Sequence, residues 1–106
     1  MDGYAICGSV DDQIVKVDLQ NGDIIKKIKS KKSGTASVAL RKDNKIWATG
    51  GYDGRIRVYS VKTMNPLAVL SYHRDSVYCV DFASHSDKHW VIGCSKDHRI
   101  SLWHVY

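Results

Sequence analysis

Several groups of side chains in this 106-residue chain have the types and spacing of reactive sites. His73, Ser95 and Asp97 supply a base, a hydroxyl and a carboxylate, the set that acyl transfer needs in mutual contact. No G-x-S-x-G elbow presents a serine nucleophile, which weakens that reading. Gly50-Gly51-Tyr52-Asp53-Gly54 is rich enough in glycine to cradle a phosphate. A phosphate loop leads into a helix and carries a Lys-Ser/Thr pair, whereas the strand-like Arg55-Ile56-Arg57-Val58 follows here. Cys79, His85, His89 and Cys94 form a C-x5-H-x3-H-x4-C string that superficially suggests zinc. Structural zinc sites pair their ligands at tight loop spacings. Cys79 and Cys94 instead fall within strand-like segments, where cysteine is ordinarily a small buried hydrophobe. We expect His85 and His89 to belong to an exposed loop, Ser84–Lys88. No metal site and no cofactor are expected.

The run Lys26-Lys27-Ile28-Lys29-Ser30-Lys31-Lys32 holds five lysines in seven residues and could meet phosphates or an acidic partner segment. No aromatic is interleaved to stack on bases, and edge strands are commonly guarded by lysines. A solvated edge is therefore the first expectation, an acidic protein surface the second. Nucleic acid comes last.

The elements that must position these groups are strands. The chain has 11 Val and 9 Ile against 5 Leu, and its 11 acidic residues are all Asp. That bias disfavours helices and favours strands joined by Asp/Gly turns. With 25 % charged and 43 % hydrophobic residues it is composed like one globular domain, and its formal charge of +5 is compatible with acidic partners. No apolar run approaches the ~18 residues that span a membrane, so no membrane partner is expected. Three cysteines without a CxxC pair fit a reducing compartment, cytoplasmic and/or nuclear.

Three segments align on an Asp followed three residues later by Ile: Asp11/Ile14, Asp53/Ile56 and Asp97/Ile100. The aspartates lie 42 and 44 residues apart. Each sits where one strand reverses into the next, a position that suits Asp because it tolerates left-handed backbone and bonds nearby amides. Asn21-Gly22 and Met64-Asn65-Pro66 mark a further reversal one strand later. The resulting pattern predicts strands over 4–7, 14–19 and 23–29, then 37–40, 45–49, 55–61 and 67–70, then 77–82, 89–94 and 99–104.

A period near 43 residues, with His73, Val77-Tyr78-Cys79-Val80-Asp81-Phe82, Gly93-Cys94-Ser95-Lys96-Asp97 and a closing Leu102-Trp103, resembles the WD-repeat family of β-propellers. The second repeat has Tyr59 where the family has Trp, and the first has Val17-Asp18. From Gly34 to Tyr106 the chain also resembles the G-protein β-subunit-like protein 1 family, whose fungal members are called ASTRA-associated protein 1. Val38-Ala39-Leu40-Arg41-Lys42-Asp43, Ala48-Thr49-Gly50-Gly51-Tyr52-Asp53, Pro66-Leu67-Ala68-Val69-Leu70 and Ser95-Lys96-Asp97-His98-Arg99-Ile100-Ser101-Leu102-Trp103 carry that likeness.

The resemblance implies an all-β fold, a partial WD-type β-propeller of about two and a half antiparallel blades. A three-stranded partial blade is expected over 1–33, a complete blade over 34–71, and a blade lacking its outer strand over 72–106, all parts of one propeller. It further implies a buried hydrogen-bond network of His73, Ser95, Asp97 and Trp103, with Asp11, Asp53 and Asp97 as turn residues. Trp47 and Trp90 occupy equivalent second-strand positions and are expected in the core. The implied function is a non-enzymatic protein-interaction scaffold in a co-chaperone assembly that matures phosphatidylinositol-3-kinase-related kinases. The alternative is a binder of nucleic acid or acidic ligands through Lys26–Lys32. Candidate contact residues are Lys26, Lys27, Lys29, Lys31, Lys32, Tyr52, Arg74 and Lys96. Ten strands cannot close a ring of four to eight blades. We therefore expect either self-association through open blade edges or a piece of a longer protein.

Overall fold

A computed structural model of the chain describes residues 3–29 and 34–105. Every regular element is a strand: β1 Tyr4–Gly8, β2 Gln13–Asp18, β3 Ile24–Lys29, β4 Thr35–Leu40, β5 Ile46–Gly51, β6 Arg55–Ser60, β7 Pro66–Ser71, β8 Val77–His85, β9 Lys88–Ser95 and β10 Ile100–Val105. They form three antiparallel sheets in sequence order, β1-β2-β3, β4-β5-β6-β7 and β8-β9-β10. The fold is all-β, as its β-branched, Glu-free composition requires.

The middle sheet is the keystone. Its strands β5 and β6 are buried on both faces, because a sheet packs against each side. Ile46, Ala48, Ile56 and Val58 join Val77, Val80 and Val91 of the third sheet in one core. Trp47, Tyr59, Val61 and Met64 face the other way and enclose Ile14 of the first sheet. Trp47 and Tyr59 are register partners whose rings stack at 4.2 Å and 11°. Sheets come this close only where side chains shrink. A Cβ on Gly93 would strike the Ile56 side chain, and one on Gly50 would lie 2.7 Å from the Val77 carbonyl.

Three expectations need correction. The segment 84–88 is no loop: β8 runs to His85, β9 starts at Lys88, and Ser86 and Asp87 make a two-residue hairpin with φ of 50° and 64°. Positive φ at both central residues matches the twist of the flanking strands, and the polar composition hid it. Cys79 and Cys94 do lie in strands, but both are exposed, as is Cys7. They face away from the middle sheet, where nothing in the described residues covers them. Trp47 is fully buried as expected, while Trp90 is only half-buried and tilts against the His104 ring at 5.9 Å.

Candidate functional site

The three turn aspartates make one recurrent contact. Asp11 Oδ1 accepts from Gln13 N at 3.0 Å, Asp53 Oδ1 from Arg55 N at 3.1 Å, and Asp97 Oδ1 from Arg99 N at 2.9 Å. In each turn the carboxylate replaces a backbone acceptor and starts the next strand. Gly54 and His98 then supply the positive φ, 82° and 68°, that these reversals require. Past this shared step the three sheets diverge.

In the third sheet Asp97 is held from outside its own hairpin. His73 Nδ1 lies 3.1 and 3.2 Å from its two oxygens, and Arg74 N donates to it at 2.9 Å. Burial opposes its ionisation, but the amides of Arg74 and Arg99 and the His73 ring outweigh that and hold the carboxyl down at about 2. The other ring nitrogen, Nε2, meets Ser101 Oγ at 2.8 Å. The loop between β7 and β8 is thereby bolted to the turn between β9 and β10.

This is part of the network expected from the resemblance. Ser95 joins it through the Asp97 backbone: its hydroxyl accepts from Asp97 N at 3.2 Å and donates to the carbonyls of Asp75 and Ser76, at 3.1 and 2.9 Å, without reaching His73. Trp103 is the member that is not in it, since its buried indole N–H has no hydrogen-bond partner among the described residues. Ser101 was the hydroxyl missed. Its strand partner is Gly93, where a Cβ would lie 3.0 Å from the Ser101 oxygen, so the hydroxyl occupies space a side chain on β9 would take. The signal available was positional: Ser101 stands four residues after its turn Asp, as Arg57 does after Asp53.

Chemically, Asp97, His73 and Ser101 have the contact order of a carboxylate, base and hydroxyl. Ser101 is only 6 % exposed and its hydroxyl is packed into the sheet beside Gly93. The arrangement braces two turns, as a satisfied buried polar network does. Among the described residues, no group of three His, Cys, Asp or Glu side chains is placed to hold a metal ion.

The middle sheet solves the same problem locally. Arg57 grips Asp53 with two guanidinium nitrogens, at 2.7 and 3.3 Å, inside a site where the two side chains are 8 % and 19 % exposed. Burial resists ionisation of Asp53, and the Arg57 and Arg55 contacts overcome it to place its pKa below the usual range. Burial pushes the Tyr59 pKa up. In the first sheet Asp11 is exposed and, among the described residues, makes turn contacts alone.

The contact candidates separate into two places. Tyr52, Arg74 and Lys96 are exposed on one rim, where Ser76 links Tyr52 to Lys96 and the Arg74 amide is held by Asp97. Tyr52 N donates to Gly34 O at 3.2 Å, Ser76 Oγ to Tyr52 O at 3.3 Å, and Lys96 N to Ser76 O at 2.9 Å. Lys26, Lys27 and Lys29 project from β3, the edge of the first sheet, where Lys26 Nζ reaches Thr63 O at 3.3 Å at the β6–β7 turn. Lys31 and Lys32 lie outside the described residues.

The comparison with known proteins agrees with this architecture. The family described as WD domain, G-beta repeat matches residues 22–60 and 64–104. The chain is 49 % identical over 78 residues to ASTRA-associated protein 1 of Schizosaccharomyces pombe, covering 74 % of this chain and 21 % of that one. It is 51 % identical over 73 residues to mouse guanine nucleotide-binding protein subunit beta-like protein 1, covering 69 % of this chain and 22 % of the relative. The chain thus spans about a fifth of the length of these relatives. Among solved structures, the RRP9 WD40 repeats superpose with a TM-score of 0.89 at 21 % identity, over 99 % of this chain and 34 % of that one. Three antiparallel sheets stacked through their faces, each turning on an Asp, and matches across most of the length place the chain in the WD domain, G-beta repeat family.

Proposed function

We propose that this chain acts as part of a non-enzymatic protein-interaction scaffold within a co-chaperone assembly that matures phosphatidylinositol-3-kinase-related kinases. The similarity to ASTRA-associated protein 1 carries this reading, and the rim of turns gives it a physical form. Tyr52, Arg74 and Lys96 offer an aromatic and two cations on a backbone that is already hydrogen-bonded, so little ordering entropy is lost on contact. Such a surface suits an acidic protein segment. Affinity purification of the tagged chain from cells, with mass spectrometry, tests it. A shared set of protein partners lost in the triple variant Tyr52→Ala, Arg74→Glu, Lys96→Glu is expected. Capture of no stable partner by the parent chain would end the scaffold reading.

A second reading rests on β3. Lys16 and Lys26 stand directly opposite each other in register, a like-charge pair that an acidic ligand would relieve. That reading predicts binding that weakens steeply with salt and disappears when Lys26, Lys27 and Lys29 are reversed to Glu. Among the described residues β3 and β10 are edge strands, and pairing at such edges would let copies associate, which sedimentation at several concentrations would detect. We place the protein in the cytoplasm and/or nucleus, which imaging of a fluorescent fusion tests.

A further inference from the structure

The first and middle sheets pack together over Ile14 but part at their outer edges, where β3 faces β7. A groove of about 290 Å³ opens there. Its floor is Arg57, Tyr59 and Met64, each buried. Ile28 of β3 and Val69 of β7 form its walls, and Lys29 and Pro66 also line it. The strand register says which side chains turn toward it. Ile28 lies opposite the buried Ile14, and Lys26, on the same face of β3, has its Nζ 3.3 Å from Thr63 O. Val69 lies opposite Arg57 and turns the same way, yet it is 53 % exposed. Lys27, opposite Val15, belongs to the other face.

Both walls belong to sheets that are already neighbours, and the groove opens along two strand edges. Sheets pack face to face, so a further sheet stacked on either outer face would not cover it. The Arg57 guanidinium is already matched by Asp53, so the charge a ligand meets is that of the lysines. Lys26 has a neutral carbonyl as its partner and Lys16 as its register neighbour, so a carboxylate placed there relieves a like-charge pair. An apolar trough beside ammonium groups is complementary to a segment that sets carboxylates on either side of an aliphatic residue. Among the described residues β7 pairs with β6 alone, which leaves its outer backbone groups to a further strand. Strand addition supplies main-chain bonds for affinity and puts every second side chain into the groove for specificity.

We propose that this groove docks an extended acidic segment of a partner protein. The segment adds to the outer edge of β7, lays an aliphatic side chain between Ile28 and Val69, and sets carboxylates beside Lys26 and Lys29. The proposal rests on the scaffold reading and gives it a second surface, apart from the rim of Tyr52, Arg74 and Lys96. It also narrows the basic-edge reading, because Lys26 takes part and Lys27 does not.

The test is fluorescence anisotropy of the full chain with a labelled synthetic peptide, Glu-Thr-Leu-Thr-Glu, whose first, third and fifth side chains share one strand face. Saturable binding is expected. Replacing the peptide's Leu by Ser should weaken it at least about tenfold, the equivalent of one buried aliphatic side chain. That series uses the parent chain and needs no variant to fold. Val69→Asp and Lys26→Glu should each weaken binding at least about tenfold, and Lys27→Glu less than about threefold. The triple variant Tyr52→Ala, Arg74→Glu, Lys96→Glu should bind the peptide as the parent does. No saturable binding, equal losses at Lys26 and Lys27 with Val69→Asp silent, or release of the peptide as copies associate would each overturn the proposal. Partner capture through the rim, which tests the scaffold reading, is left untouched by all of these outcomes.

Discussion

The middle and third sheets carry the same turn and hold it by different means. Asp53 is paired with Arg57 from the next strand, four residues on. Asp97 is paired with His73, 24 residues earlier and across a loop. The first device is local and closes within one hairpin. The second is tertiary and makes one turn depend on the placement of another. Gly93 stands on β9 where Thr49 stands on β5, four residues before the turn aspartate, and opposite Gly93 the Ser101 hydroxyl reaches His73. The lesson is that the repeat conserves a problem, a buried turn carboxylate needing donors, more than it conserves a solution.

The largest expected asymmetry lies in the second-strand tryptophans. Trp47→Ala should cost about 4 kcal/mol in urea unfolding, since the ring is fully buried and stacked on Tyr59. Trp90→Ala, half-buried, should cost less than about 2 kcal/mol. Equal losses would mean that the third sheet packs as tightly as the middle one.

Next come the aspartate partners. Arg57→Met leaves the Asp53 charge buried and unpaired, and should cost about 3 kcal/mol. Ser101→Ala removes one hydrogen bond from His73 and should cost about 1 kcal/mol. A larger loss at Ser101 than at Arg57 would reverse the ranking of the two devices. Acid should expose both. The folded pKa of Asp97, about 2, is below the value of about 3.9 for an unfolded Asp. Its stabilising contribution is therefore complete above the unfolded value and lost as pH falls through the folded one. Asp53 is shifted in the same direction. Urea midpoints of the parent should fall on acidification from about pH 5 to about pH 2, and those of Asp97→Asn and Asp53→Asn should fall less. Parallel curves would remove both carboxylates from the account.

The smallest effect is the sharpest. Trp103→Phe deletes a buried N–H that has no partner among the described residues, and should change stability by less than about 0.5 kcal/mol. A loss of about 1 kcal/mol or more would restore the tryptophan to the hydrogen-bond network.

The order of strands, their turns and their antiparallel pairing were legible in the chain itself. Period-two alternation, Asp53-Gly54 and Asn21-Gly22 are local signals, and hairpins join neighbours in sequence, so little else was needed. Which atoms meet behind the turns was decided only in three dimensions. Ser95 and Ser101 are both serines flanking Asp97, and only the packing of β10 on β9 over Gly93 turns the second toward His73. No local signal marks Arg57 as buried, yet in the structure it is 7 % exposed. Cys79 and Cys94 looked like core, yet among the described residues nothing covers their face of the third sheet. Strand formation is read within a few residues, whereas burial depends on which sheet lies on which face, a fact no short window of sequence contains.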